Sequence, residues 1–197
     1  INLLGAQTVD GGNRDRMYTM IGHGGHDADF RNNSTISGID AATGVQATGN
    51  TAGEHPNIPQ SLATGTSGNI VVRSTGGAIN MTGTSDTDRS RESFVQIGNG
   101  GFGNDGTHSG NITVDAQGGG ITMTAASGNG DHNDGYVQIG NGGRTSRGDH
   151  SGTIDIDAAG NVSVLGGVGG TSSTRNYAQI GHGLSLIHIS EPTRLRS

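Results

Sequence analysis

The chain has 197 residues, enough for one domain or for a stretch of a longer repetitive protein. It holds 39 glycines, 3% aromatics, no cysteine and no tryptophan, and Ile, Leu, Val and Phe make up only about 18% of it, thin for a conventional core, while the net charge of −6 is small for a disordered chain. This composition disfavours a helical bundle, a doubly wound sheet enzyme and a membrane-inserted chain, since no apolar run approaches the roughly 20 residues needed to span.

The absence of cysteine removes disulfides, thiolate zinc sites and thiol nucleophiles. All 11 cations are arginine, scattered rather than gathered into a nucleic-acid footprint, so no nucleic-acid partner is expected.

In chain order, residues 1–16 read as a truncated lead-in with no signal-peptide pattern. A string then recurs four times: Y-T-M-I-G-H-G from Tyr18, F-V-Q-I-G-N-G from Phe94, Y-V-Q-I-G-N-G from Tyr136 and Y-A-Q-I-G-H-G from Tyr177. Its isoleucines, Ile21, Ile97, Ile139 and Ile180, are separated by 76, 42 and 41 residues. The long first step implies an insertion of roughly 34 residues near 29–64, which contains Pro56 and Pro59. A second string, S-G-N-I-V-V from Ser67, S-G-N-I-T-V from Ser109 and S-G-T-I-D-I from Ser151, keeps the 42-residue step. A third short apolar segment follows it, around Ile79, Ile121 and Val162.

Each full unit thus offers three short strands. Ile112, Val114 and Ala116 alternate with Thr113 and Asp115; Ile154, Ile156 and Ala158 alternate with Asp155 and Asp157; Ile121 and Met123 follow the same rule. One unit cannot bury its own apolar face, so stacked units must share a narrow core of Ile on Ile and Val on Val. The pattern predicts an all-β fold, a right-handed parallel β-helix (β-solenoid) of ~42-residue repeats over 17–183. An antiparallel prism or propeller-like array is the alternative.

Composition changes after Gly183. The string L-S-L-I-H-I-S-E-P-T-R from Leu184 resembles the translated end of a transposon adapter used in preparing sequencing libraries. Residues 184–197 are therefore expected to be a non-native tail, from a gene that ran further and a source in assembled environmental DNA.

Four sets of residues are candidates for function. Tyr18, Phe94, Tyr136 and Tyr177 share one repeat position and should stack as a ladder, with Gln96, Gln138 and Gln179 beside them. If Val137 and Ile139 point inward, Tyr136 and Gln138 point outward, where the column either stacks on sugar rings or stabilises itself, as stacked side chains do in cross-β arrays. The Gly-rich loops after each I-G lack the lysine and spacing of a phosphate loop. They resemble calcium nonapeptide repeats with broken spacing, so calcium at Asp105, Asp131, Asp134 or Asp149 is a weak candidate against plain turn-capping, and no other cofactor is expected.

The third set is histidine. His108 and His150 are repeat-equivalent, as are His23 and His182, which indicates turn structure; His26 and His132 complete the set, and no zinc pattern is present. The fourth set is the outward column of Asp115, Asp155 and Asp157, with Arg73 at the equivalent position of its repeat, for which pairing between neighbouring repeats is the plain reading. No unique acidic constellation marks an enzyme.

The repeats, Y-[AV]-Q-I-G-[HN]-G, [GD]-x-H-S-G-x-I-x-[VI] and G-x-[IV]-x-[MV], resemble those of large bacterial filamentous-haemagglutinin-like exoproteins, adhesins exported by two-partner secretion. The resemblance covers about 17–183 apart from the insertion, without the secretion domain that defines membership. It implies a secreted or cell-surface rod, passed unfolded through an outer-membrane transporter and meeting host or environmental glycans or proteins. It supplies no catalytic residues. The leading reading is a structural and adhesive segment acting by multivalent contact. A carbohydrate-active β-helix enzyme fragment and a calcium-dependent extracellular module are the alternatives.

Overall fold

The computed structural model describes residues 1–5, 14–15, 17–25, 65–84, 90–127, 131–168 and 173–183. The insertion, His26 and the tail from Leu184 lie outside them. Before the insertion come β1 (Asn2–Leu4), β2 (Arg14–Asp15) and β3 (Thr19–Ile21). One full repeat follows as β4 (Ile70–Ser74), β5 (Ile79–Thr82), β6 (Ser90–Arg91), β7 (Val95–Ile97) and β8 (His108–Ser109). The next supplies β9 (Ile112–Ala116), β10 (Ile121–Thr124), β11 (His132–Asn133), β12 (Val137–Ile139) and β13 (His150–Ser151). The last contains β14 (Ile154–Ala158), β15 (Val162–Leu165) and β16 (Ala178–Ile180).

The fold is all-β. Every strand pair among the described residues is parallel and joins repeat-equivalent strands, giving the ladders β1-β5-β10-β15, β2-β6-β11, β3-β7-β12-β16, β8-β13 and β4-β9-β14. An antiparallel array would pair neighbours in opposite directions, which none of these do. The three strands read from each repeat are present, and the two-residue strands β6 and β8 add a fourth and fifth pairing that is too short to leave an alternation in the sequence.

Register follows the repeat. Ile97, Ile139 and Ile180 align, as do Ile70, Ile112 and Ile154. The offset falls from 76 at the Gly24–Gly100 bridge to 42 at Ser67–Ser109, so the extra 34 residues enter between Gly24 and Ser67. The 41-residue step has a local cause as well. Four residues, 117–120, link β9 to β10, whereas three, 159–161, link β14 to β15. Residues 1–16 are more than a lead-in, because β1 and β2 pair in register with β5 and β6. Only Leu3 of β1 carries the apolar signature, buried in line with Met81 and Met123, and one residue is too little to reveal a strand.

The alternation sorts side chains as expected on β10, whereas on β9 Asp115, expected outward, is buried where Arg73 pairs with it. Ile112, Val114, Ala116, Ile121 and Met123 are fully buried and join Ile79, Met81, Val95, Ile97, Val137 and Ile139 in one core. A core two or three side chains wide, continued from repeat to repeat, needs little hydrophobic sequence, and parallel sheets of this kind read as β-branched runs. The glycine of each I-G motif is required by the stacking. A methyl group on Gly98 would lie 1.8 Å from Gly140 O, and one on Gly140 would lie 1.9 Å from Gly181 O. Both residues have φ near +157°, which L side chains rarely adopt.

Candidate functional site

The richest gathering of polar and aromatic side chains lies where the Y-x-Q-I-G strand runs into its Gly-rich loop. Four rings form the predicted ladder. Tyr18 and Phe94 stack at 4.9 Å, Phe94 and Tyr136 at 5.0 Å, and Tyr136 and Tyr177 at 5.3 Å, all within 7° of parallel. These spacings follow the ~4.8 Å separation of hydrogen-bonded strands.

The ladder does not face solvent, which corrects the outward assignment. Phe94 and Tyr136 are completely buried, as are Gln96 and Gln138. The period of two places them on the face opposite Ile139, but the Gly-rich loop folds back over that face. Phe102 from this loop packs with Phe94 and Tyr136, Arg144 lies 6.0 Å over the Phe102 ring, and Gly143 sits against the Tyr136 hydroxyl. The rings cover one another's faces, so sugar has no face to stack on inside the column. Tyr18, at the column's end, remains 46% exposed, and Tyr177 is half-buried. Burial, reinforced by Tyr177, raises the Tyr136 pKa well above the ordinary tyrosine range, and burial pushes Tyr177 up to about 12. Both phenols therefore stay protonated.

Gln96 and Gln138 bridge repeats, while Gln179 bonds within its own. Gln96 Nε2 donates to Gly140 O at 2.9 Å and Gly142 O at 2.6 Å, Gln138 Nε2 reaches Gly181 O at 3.3 Å, and Gln179 Nε2 donates to His182 O at 2.9 Å. Gln96 Oε1 accepts from the Tyr136 hydroxyl at 3.5 Å. Since the column is internal, Phe94→Ala should cost about 3–5 kcal/mol. Tyr18→Ala, at the exposed end, should cost less than about 1 kcal/mol. Urea unfolding of both variants measures the difference, and equal costs would contradict an internal column.

A second column joins His23 and His182 to Asn99 and Asn141, which the sequence had not singled out. Asn99 Nδ2 donates to Gly68 O at 2.8 Å and Ser109 O at 3.0 Å; Asn141 Nδ2 repeats this one unit on, to Gly110 O and Ser151 O. Asn141 Oδ1 accepts from the Asn99 N–H at 3.0 Å. His182 fills the same role with an imidazole. Its Nδ1 accepts from the Asn141 N–H at 3.1 Å and its Nε2 bonds Gly152 O at 3.0 Å. The N/H exchange in I-G-[NH]-G was the available signal, because both side chains offer one acceptor and one donor. The turn role expected for His23 and His182 is what they perform.

His108 and His150 stack at 5.2 Å. Ser90 Oγ and His132 Nδ1 lie 2.8 Å apart, but both residues are buried, so this pair is sealed from any substrate. The predicted charge pairing across repeats occurs, with Arg73 Nε 2.9 Å from Asp115 Oδ2; Gln117 also donates to Asp115 at 2.8 Å. Asp155 and Asp157 stay exposed in β14.

The four calcium candidates do not converge. Asp134 is gripped by Arg144 and Arg175, each at 2.7 Å, and Asp105 lies 3.4 Å from Arg147. Asp131 and Asp149 serve through their carbonyls, which accept from the Ser90 and His108 N–H groups. Among the described residues no three His, Asp or Glu side chains gather closely enough to hold a metal ion. Asp134 also belongs to a backbone column with Glu92 and Arg175, all at φ between 53° and 62°, so a left-handed corner repeats without glycine.

Parallel pairing of repeats with polar side chains locked between them defines the class, an all-β repeat protein. Compared with family models, curated proteins and solved structures, the chain matches none.

Proposed function

We propose that this chain is a stretch of right-handed parallel β-solenoid acting as a structural and adhesive segment of a secreted or cell-surface bacterial exoprotein. One observation carries the reading: every ladder joins a strand to its equivalent in the next repeat. Such pairing extends by addition of further repeats and suits a rod. Right-handedness follows from the strong preference of parallel crossover connections. The outer columns Val71–Thr113–Asp155 and Arg73–Asp115–Asp157 set side chains one above another at each level. Repeated weak contacts of this sort sum to avidity against extended ligands such as surface glycans or proteins. His108 and His182 hold loops, and Asp105, Asp115 and Asp134 pair with arginines, which takes these groups away from catalysis. Export through an outer-membrane transporter, with folding outside, fits a chain free of disulfides.

Beads coated with the full chain test the proposal on immobilised glycans and matrix proteins under flow. Retention should rise faster than linearly with coating density, while the soluble chain binds weakly. No retention on any surface, or retention proportional to density, would overturn the adhesive reading. New reducing ends from a polysaccharide would favour an enzyme instead.

A further inference from the structure

The Gly-rich loops are fastened through imidazoles that accept a backbone N–H on Nδ1 and face a carbonyl through Nε2. A backbone N–H can only donate and a carbonyl can only accept. The Thr66 N–H meets His108 Nδ1 at 3.1 Å, and His108 Nε2 lies 3.0 Å from Asn104 O. The Asn141 N–H meets His182 Nδ1 at 3.1 Å, and His182 Nε2 lies 3.0 Å from Gly152 O. Each ring therefore carries its proton on Nε2 and a lone pair on Nδ1. A second proton would set N–H against N–H at His182, and at His108 it would exchange the Thr66 N–H bond for one to the Thr66 hydroxyl, 2.9 Å from Nδ1. His150 lies between these rings, stacked on His108 and pressed against Gly142, where even a methyl group would lie 2.3 Å from the imidazole.

We propose that His108, His150 and His182 form an acid-sensitive lock, which holds the Gly-rich loops 98–107 and 140–149 over the aromatic column at neutral pH and releases them when the rings take up protons. The loops carry the bonds in question: Asn104 belongs to the first, and Asn141 and Gly142 to the second. The titratable neighbours supply no relief. The side-chain charges acting on His150 are those of His108 and His182, and Asp149 contributes only its backbone. Asp105, in the first loop, is engaged by Arg147. His23 faces Asn99 Oδ1 through Nδ1 at 3.0 Å, where the ring donates rather than accepts.

The direction follows from linkage. Burial first, then the neighbouring His108, lowers the His150 pKa from 6.5 to about 4, partly opposed by the backbone of Ser146. A released ring takes up its proton near the ordinary value of ~6.5. Between these values the open state binds more protons, so stability falls as pH drops through that window.

The repeats provide their own controls. Thr66 occupies the position of His108 and His150, and Asn99 and Asn141 occupy that of His182. The double variant H150T/H182N therefore installs two side chains that neither titrate nor depart from the repeat. For the full wild-type chain, thermal melts from about pH 7 to about pH 4.5 should show Tm falling by about 10 °C or more. Amide protection in both loops should fall at least about tenfold over the same range. The double variant should show less than half of both changes, although it keeps every carboxylate. A flat wild-type profile, or equal loss in the variant, would overturn the lock. Should the variant fail to fold, imidazole ¹⁵N shifts of the wild type decide. The His150 ring should stay neutral at about pH 6, below its ordinary value, and a charged ring there would refute the proposal.

Discussion

Ile139→Asp should abolish the cooperative melt of this chain at neutral pH. Ile139 is completely buried in β12, with Ile97 aligned on one side and Ile180 on the other. Truncating such a side chain costs about 2–5 kcal/mol before any charge is considered. The aspartate adds a carboxylate among apolar core side chains, and a buried charge there costs several kcal/mol more. The sum is comparable to the lower part of the roughly 5–15 kcal/mol that holds an ordinary domain together. Ile139→Val keeps the β-branched shape and should cost only about 0.5–1.5 kcal/mol. Circular dichroism melts distinguish the outcomes, and an unchanged melt for the aspartate variant would refute the inward assignment of Ile139.

The same strand shows what period-two reasoning can and cannot reach. Alternation put Val137 and Ile139 on one face and Tyr136 and Gln138 on the other, and the repeat spacing aligned them with Val95, Ile97, Phe94 and Gln96. Both inferences match the register. Alternation says nothing about whether the second face is covered. Here it is, because glycines at 98, 100, 101, 140, 142 and 143 let the following loop turn back and lie flat on its neighbours, and no local pattern announces that return. The Asn99–Asn141 column was hidden for a related reason. An asparagine beside a glycine reads as a turn residue by default, and only the stacked repeats show it donating to two carbonyls at once. Charge pairing was easier. Arg73 and Asp115 are 42 residues apart on the same strand position, so the repeat length alone brings them together.

Gly140→Ala separates crowding by the repeats from the ordinary cost of replacing a glycine. A methyl group there would sit 1.9 Å from Gly181 O and 2.5 Å from its carbon, well inside contact distance and against backbone rather than a movable side chain. The residue also has φ +157°, so relaxation would have to break the Gly140 N–H to Ile97 O bond of 2.9 Å or separate β12 from β16. Costs on the order of 4 kcal/mol or more are expected when strain and lost pairing combine. Gly76 is the control, lying in the turn after β4 with nothing within 4 Å of an added methyl. Gly76→Ala should therefore be neutral or stabilising by up to about 1 kcal/mol through the entropy of the unfolded chain. Urea denaturation of the two variants measures the contrast. Comparable stabilities would mean that the repeats do not approach as closely as the Gly98–Gly140–Gly181 column requires. A large loss confined to Gly140 would tie the I-G motif to the stacking distance itself, and with it the reason the motif recurs wherever one repeat lies on the next.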